Sequence, residues 1–228
     1  MNRKILLDVE TTGFYYDRDD KIVELACVEI FEDRNMAKEL HYYINPQREI
    51  PAETTQVHGI TNEMVADSPT FANIVEEFLN FVGDSEIIAH NAKFDMSFIN
   101  AELQKASQEI INPNRFIDTL KMAQEKFPGQ RNSLDVLCKR FGIDLESRKD
   151  HHGALIDTKL LGEVYVKLIG GQKSMFDGDF DNAENVASGK ILSYDNNNFP
   201  YRKFELTAME MENHKNFVAK IKNSQWNI

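Results

Sequence analysis

"LLDVETTG", Leu6 to Gly13, places two acids, Asp8 and Glu10, inside an apolar run and closes it with Thr11, Thr12 and Gly13. Leu6, Leu7 and Val9 read as a core strand, and strand side chains alternate faces with a period of two. Asp8 and Glu10 therefore point the same way, about 7 Å apart along the backbone. Two like charges on one partly buried face raise each other's pKa unless something positive joins them. The stretch is either a solvated edge strand or half of a metal site, and the second reading needs further acids elsewhere.

The 228 residues accommodate one good-sized domain and an appendage, and a hydrophobic content of 42% with 15 Phe is ample for a core. No apolar run approaches the ~20 residues of a membrane span. The opening "MNRKILLDVE" runs straight into an acidic strand, unlike a secretory signal, so the expected location is the cytoplasm. Cys27 and Cys138 both fall in apolar patterns and read as buried free thiols of a cytosolic protein. The absence of Cys-x-x-Cys or paired Cys/His spacing argues against zinc. The net charge of −11 is uneven: the first 169 residues carry 19 basic and 29 acidic residues, a net of −10. Strong non-specific nucleic-acid binding needs clustered cations. A nucleic-acid enzyme with this charge must hold few phosphates, use metal ions, or be carried to its substrate by a partner.

"KIVELACVEIFE" (21–32) and "ELHYYINP" (39–46) are rich in β-branched and aromatic residues and form, with the first strand, an expected antiparallel meander. "DRDD" (17–20) reads as a solvated turn. In "SPTFANIVEEFLNFVG" the spacing of Phe71, Ile74, Val75, Phe78, Leu79 and Val82 predicts a helix, capped by Ser68, with Pro69 at its first position and stopped by Gly83. A short strand, "EIIAH", leads at once into a helix, "AKFDMSFINAEL". "FIDTLKMAQEKF" and "NSLDVLCKRFG" predict two more helices, the second offered caps by Asn132 and Ser133 and ended by Gly142. "GALIDTKLLGEVYVKLIGG" predicts a longer one ended by Gly170 and Gly171. Strands followed by helices interleaved with short strands imply a mixed α/β domain with helices packed on a sheet.

Two later segments supply acids in apolar surroundings. Asp95 falls in the first turn of the helix after "EIIAHN", and the carboxyl ends of strands are where α/β sheets gather ligands. Asp157 interrupts Leu155, Ile156, Leu160 and Leu161. Either alone would pass as a capping or solvated residue. With Asp8 and Glu10 they make four carboxylates that one divalent cation, or better two, would reconcile. His152 precedes Asp157 by five residues, a net turn of about 140° on a helix, so the two could not share a helical face. His152 must then lie at or before the helix start, where a neutral imidazole suits proton transfer from an attacking water. The alternative is a surface histidine beside His151.

"DVETTG", "HNAKFD" and "HGALID" match, in order, the three motifs of the DEDDh branch of the DnaQ-like 3′–5′ exonucleases. "VHGIT", "FPGQRNSLDVLCKRFGID" and "LLGEVYVKLIGGQKSM" extend the similarity to the proofreading epsilon branch found in bacterial DNA polymerase III. The resemblance implies an α/β, ribonuclease-H-like mixed sheet, antiparallel meander plus parallel strands, flanked by helices. It implies two divalent metal ions, Mg²⁺ or Mn²⁺, held by Asp8, Glu10, Asp95 and Asp157, with His152 as general base. Glu53 and His58 match positions near the terminal nucleotide; their other reading is a polar loop. The Thr11-Thr12-Gly13 turn would bring backbone close to the terminal base, an approach Gly permits.

The composition implies an exonuclease domain over 1–171, a tether over 172–204 and a helical tail over 205–228. Within the tether, the polar, Asn/Asp-rich stretch from Asp177 begins "DGDFDN", but Asn182 and Ser188 stand where a calcium loop needs Gly and Glu. Gln172, Met175 and Phe176 resemble a sliding-clamp (beta) binding motif, with Phe176 one residue closer to Met175 than in the epsilon version; a plain exposed tether is the alternative. The tail, with Leu206, Met209, Phe217, Val218, Ile221 and Trp226, resembles the segment that attaches epsilon to the polymerase catalytic (alpha) subunit. Packing back on its own domain is the other reading. The resemblance leaves room for a small accessory, theta-like subunit. Its implied substrate is the 3′ end of single-stranded or mispaired DNA, and no membrane is implied. The competing readings are an RNA-trimming DEDDh enzyme, since the metal chemistry is indifferent to the sugar, and a non-catalytic scaffold joining polymerase to clamp.

Overall fold

The computed structural model describes residues 3–31, 35–145, 153–170, 208, 209, 211 and 212. The chain divides into two compact units, Met1–Phe176 and Asp177–Ile228. Of the second, the four described residues are helical and exposed. His152, the motif at 172–176 and nearly all of the expected tether and tail lie outside the described residues.

Three strands, β1 (Lys4–Thr11), β2 (Ile22–Ile30) and β3 (Met36–Tyr43), form the antiparallel meander that their β-branched and aromatic content implied. After two short helices, α1 (Ala52–His58) and α2 (Asn62–Val65), comes α3 (Phe71–Val82). Strand β4 (Glu86–Ala89) and helix α4 (Ala92–Lys105) come next, then β5 (Phe116–Asp118), α5 (Thr119–Lys126), α6 (Leu134–Phe141) and α7 (Ala154–Ile169). The five-stranded sheet runs β3-β2-β1-β4-β5, with β4 parallel to both of its neighbours.

The central strand β1 is buried on both faces, and its two side-chain sets meet different helices. Ile5, Leu7 and Val9 join Phe71, Ile74, Phe78, Phe98 and Ile99 in one core, on the side of α3 and α4. Leu6 joins Leu134, Leu137, Leu160, Leu161 and Val164 in the other, on the side of α6 and α7. Each fully buried side chain such as Phe78 stabilises by about 1.5–3 kcal/mol. The parity of β1 therefore sends Asp8 and Glu10, which share a face with Leu6, toward α7. Close approach of that helix is set at Gly162, where a Cβ would stand 2.8 Å from Leu6 Cδ1 and 3.0 Å from Met36 Sδ.

Three local expectations are corrected. Helix α3 starts at Phe71, capped by Thr70, because Thr70 and Asn73 satisfy each other's backbone in a reciprocal box; Ser68 and Pro69 precede it. Phe116–Asp118 is strand, since Ile87, Ile88 and Ala89 of β4 pair with it; the helix begins at Thr119. Ser133 caps α6 without a side-chain bond, whereas Asn132 is buried and its Oδ1 accepts from Arg140 at 2.9 Å. Gly142 and Gly170 end their helices as the spacing implied, Gly142 in the left-handed region at φ 68°.

Candidate active site

Asp8 and Glu10 on β1 and Asp157 in the first turn of α7 each offer a carboxylate oxygen, and the three oxygens lie within 4.8 Å of one another. The sequence distance between the two elements is closed by the sheet face: Leu6 below and Leu160 and Leu161 above bury together, and Asp157 rides one turn before those leucines. Asp95 stands outside that 4.8 Å set but beside it. The parallel β1–β4 ladder ends at Leu6 opposite Ile88, and past that point the backbone N–H of Val9 donates to the Asp95 carboxylate. Helix α4 begins directly after β4, with Asn91 in the left-handed region at φ 67°, and this sharp turn sets Asp95 against β1.

The electrostatics are adverse without a cation. Burial pushes the Asp8 carboxyl well above its ordinary value, and the carboxylates of Asp95, Glu10, Asp157 and Glu24 push it further the same way. Asp95, 2% exposed, is raised to about 8 by burial, opposed by its own and the Val9 N–H and reinforced by Asp118. An acid-rich, all-oxygen donor set of this kind fits hard divalent cations. The thiols play no part: Cys27 and Cys138 are buried and free, and burial pushes both pKa values up, that of Cys138 to about 11.

Next to the acids lies a cavity of ≈ 190 Å³, lined by Glu10, Thr11, Gly13, Phe14, His58 and Phe94 among others. His58 is buried, and its Nδ1 accepts from the Ile60 N–H at 3.0 Å, so the neutral ring carries its proton on Nε2. Glu53 is exposed in the first turn of α1, on the same helix but not on the cavity wall. The Thr12–Gly13 turn is held by a residue that read as part of a solvated loop. Asp20 accepts from Thr12 Oγ1 at 3.3 Å, from the Tyr15 N–H at 3.0 Å and from Arg48 at 3.1 Å. A Cβ on Gly13 would lie 2.3 Å from Asp20 Oδ2, so any larger residue there must displace the Asp20 carboxylate that holds the turn. Phe14 and Tyr15 are left exposed at the rim.

Glu24 is a further acid that sequence reasoning missed. It sits in β2 opposite Glu10, 3% exposed, with Oε1 2.7 Å from His41 Nε2 and Oε2 accepting the Ala154 N–H at 3.0 Å. The other buried acid of that strand, Glu29, is matched by Arg3 at 2.8 Å. Both fall in "VELACVEI", where alternation alone cannot tell a solvated acid from a buried one with a distant partner. Asp118, which accepts from the N–H groups of Asn91 and Leu120, fixes the ends of β4 and β5 and was likewise not singled out.

A family model described as Exonuclease matches residues 5–165. The chain is 39% identical over 226 residues to the DNA polymerase III subunit epsilon of Rickettsia felis, covering 96% of each chain. It is 40% identical over 197 residues to that of Haemophilus influenzae, covering 83% of this chain and 75% of the relative. Among solved structures it is similar to Exonuclease X in complex with 5′ overhanging duplex DNA, at 26% identity and a TM-score of 0.58, covering 75% of this chain and 92% of that one. It shares the fold of the nuclease domain of 3′hExo, a DEDDh family member bound to rAMP, at 18% identity and a TM-score of 0.64, covering 74% and 92%. The mixed sheet with helices on both faces, the clustered acids and these matches converge: the chain is a nuclease and belongs to the exonuclease family, among the DNA polymerase III epsilon subunits.

Proposed function

We propose that this protein is the proofreading 3′–5′ exonuclease of a replicative polymerase, hydrolysing the terminal phosphodiester of mispaired or single-stranded DNA and releasing nucleoside monophosphates. The observation that carries the reading is the meeting of Asp8, Glu10 and Asp157 within 4.8 Å, with Asp95 alongside. These four would hold two Mg²⁺ or Mn²⁺ ions, which when bound supply activation of the attacking water and stabilisation of the leaving 3′ oxygen.

The remaining steps fall to the chain's own groups. The cavity between Thr11, Phe14 and His58 would take the terminal nucleotide, with the Gly13 turn allowing the base to approach the backbone and Glu53 at the outer edge of α1. His58, protonated on Nε2, is a donor for that nucleotide. His152, next in sequence to the Gly153 that starts α7, is the general base that takes the water's proton. Selection of mismatches needs no sequence reading, since a mispaired end already unstacks at reduced cost.

The acidic domain suits an enzyme brought to DNA by others. We assign the polymerase catalytic subunit to the tail at 205–228 and the sliding clamp to Gln172, Met175 and Phe176, with a theta-like accessory subunit as a third partner. Support comes from the relatives named DNA polymerase III subunit epsilon, which match over nearly the whole chain. Among the described residues no helix is long and apolar enough to cross a membrane.

The test is degradation of a 5′-labelled primer bearing a 3′ mismatch, in Mg²⁺ or Mn²⁺ and in EDTA, with an RNA oligomer of the same sequence alongside. Stepwise shortening of the DNA in metal, slower on the paired end and lost in Asp8→Ala, is expected. Preferential loss of the RNA would replace the DNA substrate by RNA, and no hydrolysis of either would leave a scaffold.

A further inference from the structure

We propose that Glu24, held by His41, is the positioning residue that fixes the first turn of α7 and so sets Asp157 against Asp8 and Glu10; this rests on the exonuclease reading above. Helix α7 begins at Gly153, which has no side chain with which to cap it. The first free N–H, that of Ala154, is in a residue with 0% exposure, where an unmet donor is costly. It is met by Glu24 Oε2 at 3.0 Å, from a strand 130 residues earlier in the chain. A carboxylate at that place also complements the positive end of the helix dipole.

Glu24 is itself held. Its second oxygen lies 2.7 Å from His41 Nε2, and the His41 ring packs edge-on against Tyr43, with 5.2 Å between centroids. Glu24 pairs across the sheet with Glu10 on one side and Tyr43 on the other, while His41 pairs with Ala26, itself the partner of Asp8. Directly paired residues share a face, so these side chains form two adjacent rows from β1 to β3, on one face of the sheet beneath α7. Asp157 is one turn beyond Ala154, and its N–H bonds the Gly153 carbonyl at 2.9 Å. Fixing Ala154 therefore fixes the helical turn that carries Asp157. The cap comes from the same sheet that carries Asp8 and Glu10, so the two halves of the acid cluster are referenced to one rigid body. Farther along, Lys159 meets Glu39 of β3 at 2.8 Å, but that pair is exposed and adds little hold.

The experiment compares Glu24→Gln, Glu24→Ala and His41→Phe in the full-length protein, each first shown to be folded by circular dichroism. Glu24→Gln keeps an acceptor for the Ala154 N–H and should retain kcat to within about 1.5-fold of wild type. Glu24→Ala should lower kcat by about tenfold or more with KM for the oligonucleotide unchanged, since transition-state alignment is lost and substrate binding is not. Mn²⁺ binding, measured by electron paramagnetic resonance without substrate, should weaken in Glu24→Ala and stay near wild type in Glu24→Gln. This second readout holds even if the wild-type protein proves inactive on DNA, so failure of the exonuclease reading and failure of this one are told apart. If Glu24→Ala does not fold, His41→Phe decides, with about a threefold fall in kcat expected at constant KM. Wild-type kcat and Mn²⁺ affinity in a folded Glu24→Ala, an unchanged His41→Phe where that variant decides, or a Glu24→Gln as damaged as Glu24→Ala would each overturn the proposal.

Discussion

Raising the pH of the metal-free protein from 5 to 8 should destabilise it, against the usual behaviour of carboxylates held by cations. Asp95 has its pKa raised from an ordinary 3.8 to about 8, with burial as the leading cause. Between those values the unfolded chain has lost this proton and the folded chain keeps it. The slope of unfolding free energy with pH is therefore negative, about −1.4 kcal/mol per pH unit for one such group. Integrated from pH 5 to 8, Asp95 alone costs on the order of 3 to 4 kcal/mol, and Asp8, raised in the same direction, adds to it. The contribution is fully present below the unfolded value and is gone once pH has passed the folded one. For a domain of this size that corresponds to a fall in Tm of roughly 6–16 °C. The assay is thermal melting in EDTA from pH 5 to 8, repeated with saturating Mn²⁺. Metal should flatten the profile, because a cation takes the place of the protons. Asp95→Asn, whose amide oxygen still accepts from Val9, should flatten it without metal. A metal-free Tm that is level or rising across the window, or a slope unchanged in Asp95→Asn, would refute the reasoning.

The same geometry sets other outcomes. His152→Ala should keep Mn²⁺ affinity and lose about 10²–10⁴ in kcat at neutral pH, read from initial rates of monophosphate release. Gly13→Ala drives a Cβ to 2.3 Å from Asp20 Oδ2 and should cost about 1–3 kcal/mol in denaturant melts while raising KM for the oligonucleotide. Deleting the residues after Ser193 should abolish co-purification with the polymerase catalytic subunit and leave hydrolysis of a short single strand intact.

The acids that meet in the candidate site were legible where they violate their local pattern. Asp8 and Glu10 break a core strand with a period of two, and Asp157 breaks an apolar helix, so the apolar neighbours alone implied burial and a need for partners. Gly142 and Gly170 were legible as stops for a local reason, the backbone freedom of a residue with no Cβ. What escaped was set by partners far away in the chain. Glu24 looks like any acid on a strand, and only the fold brings the Ala154 N–H to it. Asp20 looks like the fourth polar residue of a turn, yet its carboxylate gathers Thr12, Tyr15 and Arg48. Phe116–Asp118 became strand because β4 offers it a ladder, a tertiary effect that overrides the helical spacing continuing from Thr119. The Thr70–Asn73 box was present in the sequence, hidden behind the stronger-looking Ser68-Pro69 pair.

The catalytic reading of this protein requires the acids of β1, α4 and α7 to grip cations together. A crystal of the full-length protein soaked in Mn²⁺ and measured at the manganese absorption edge tests this most directly. Two anomalous peaks within coordination reach of Asp8, Glu10, Asp95 and Asp157, both absent in Asp8→Ala, are the expected result. A map with no peak there, in crystals whose other Mn²⁺ sites are filled, would contradict it.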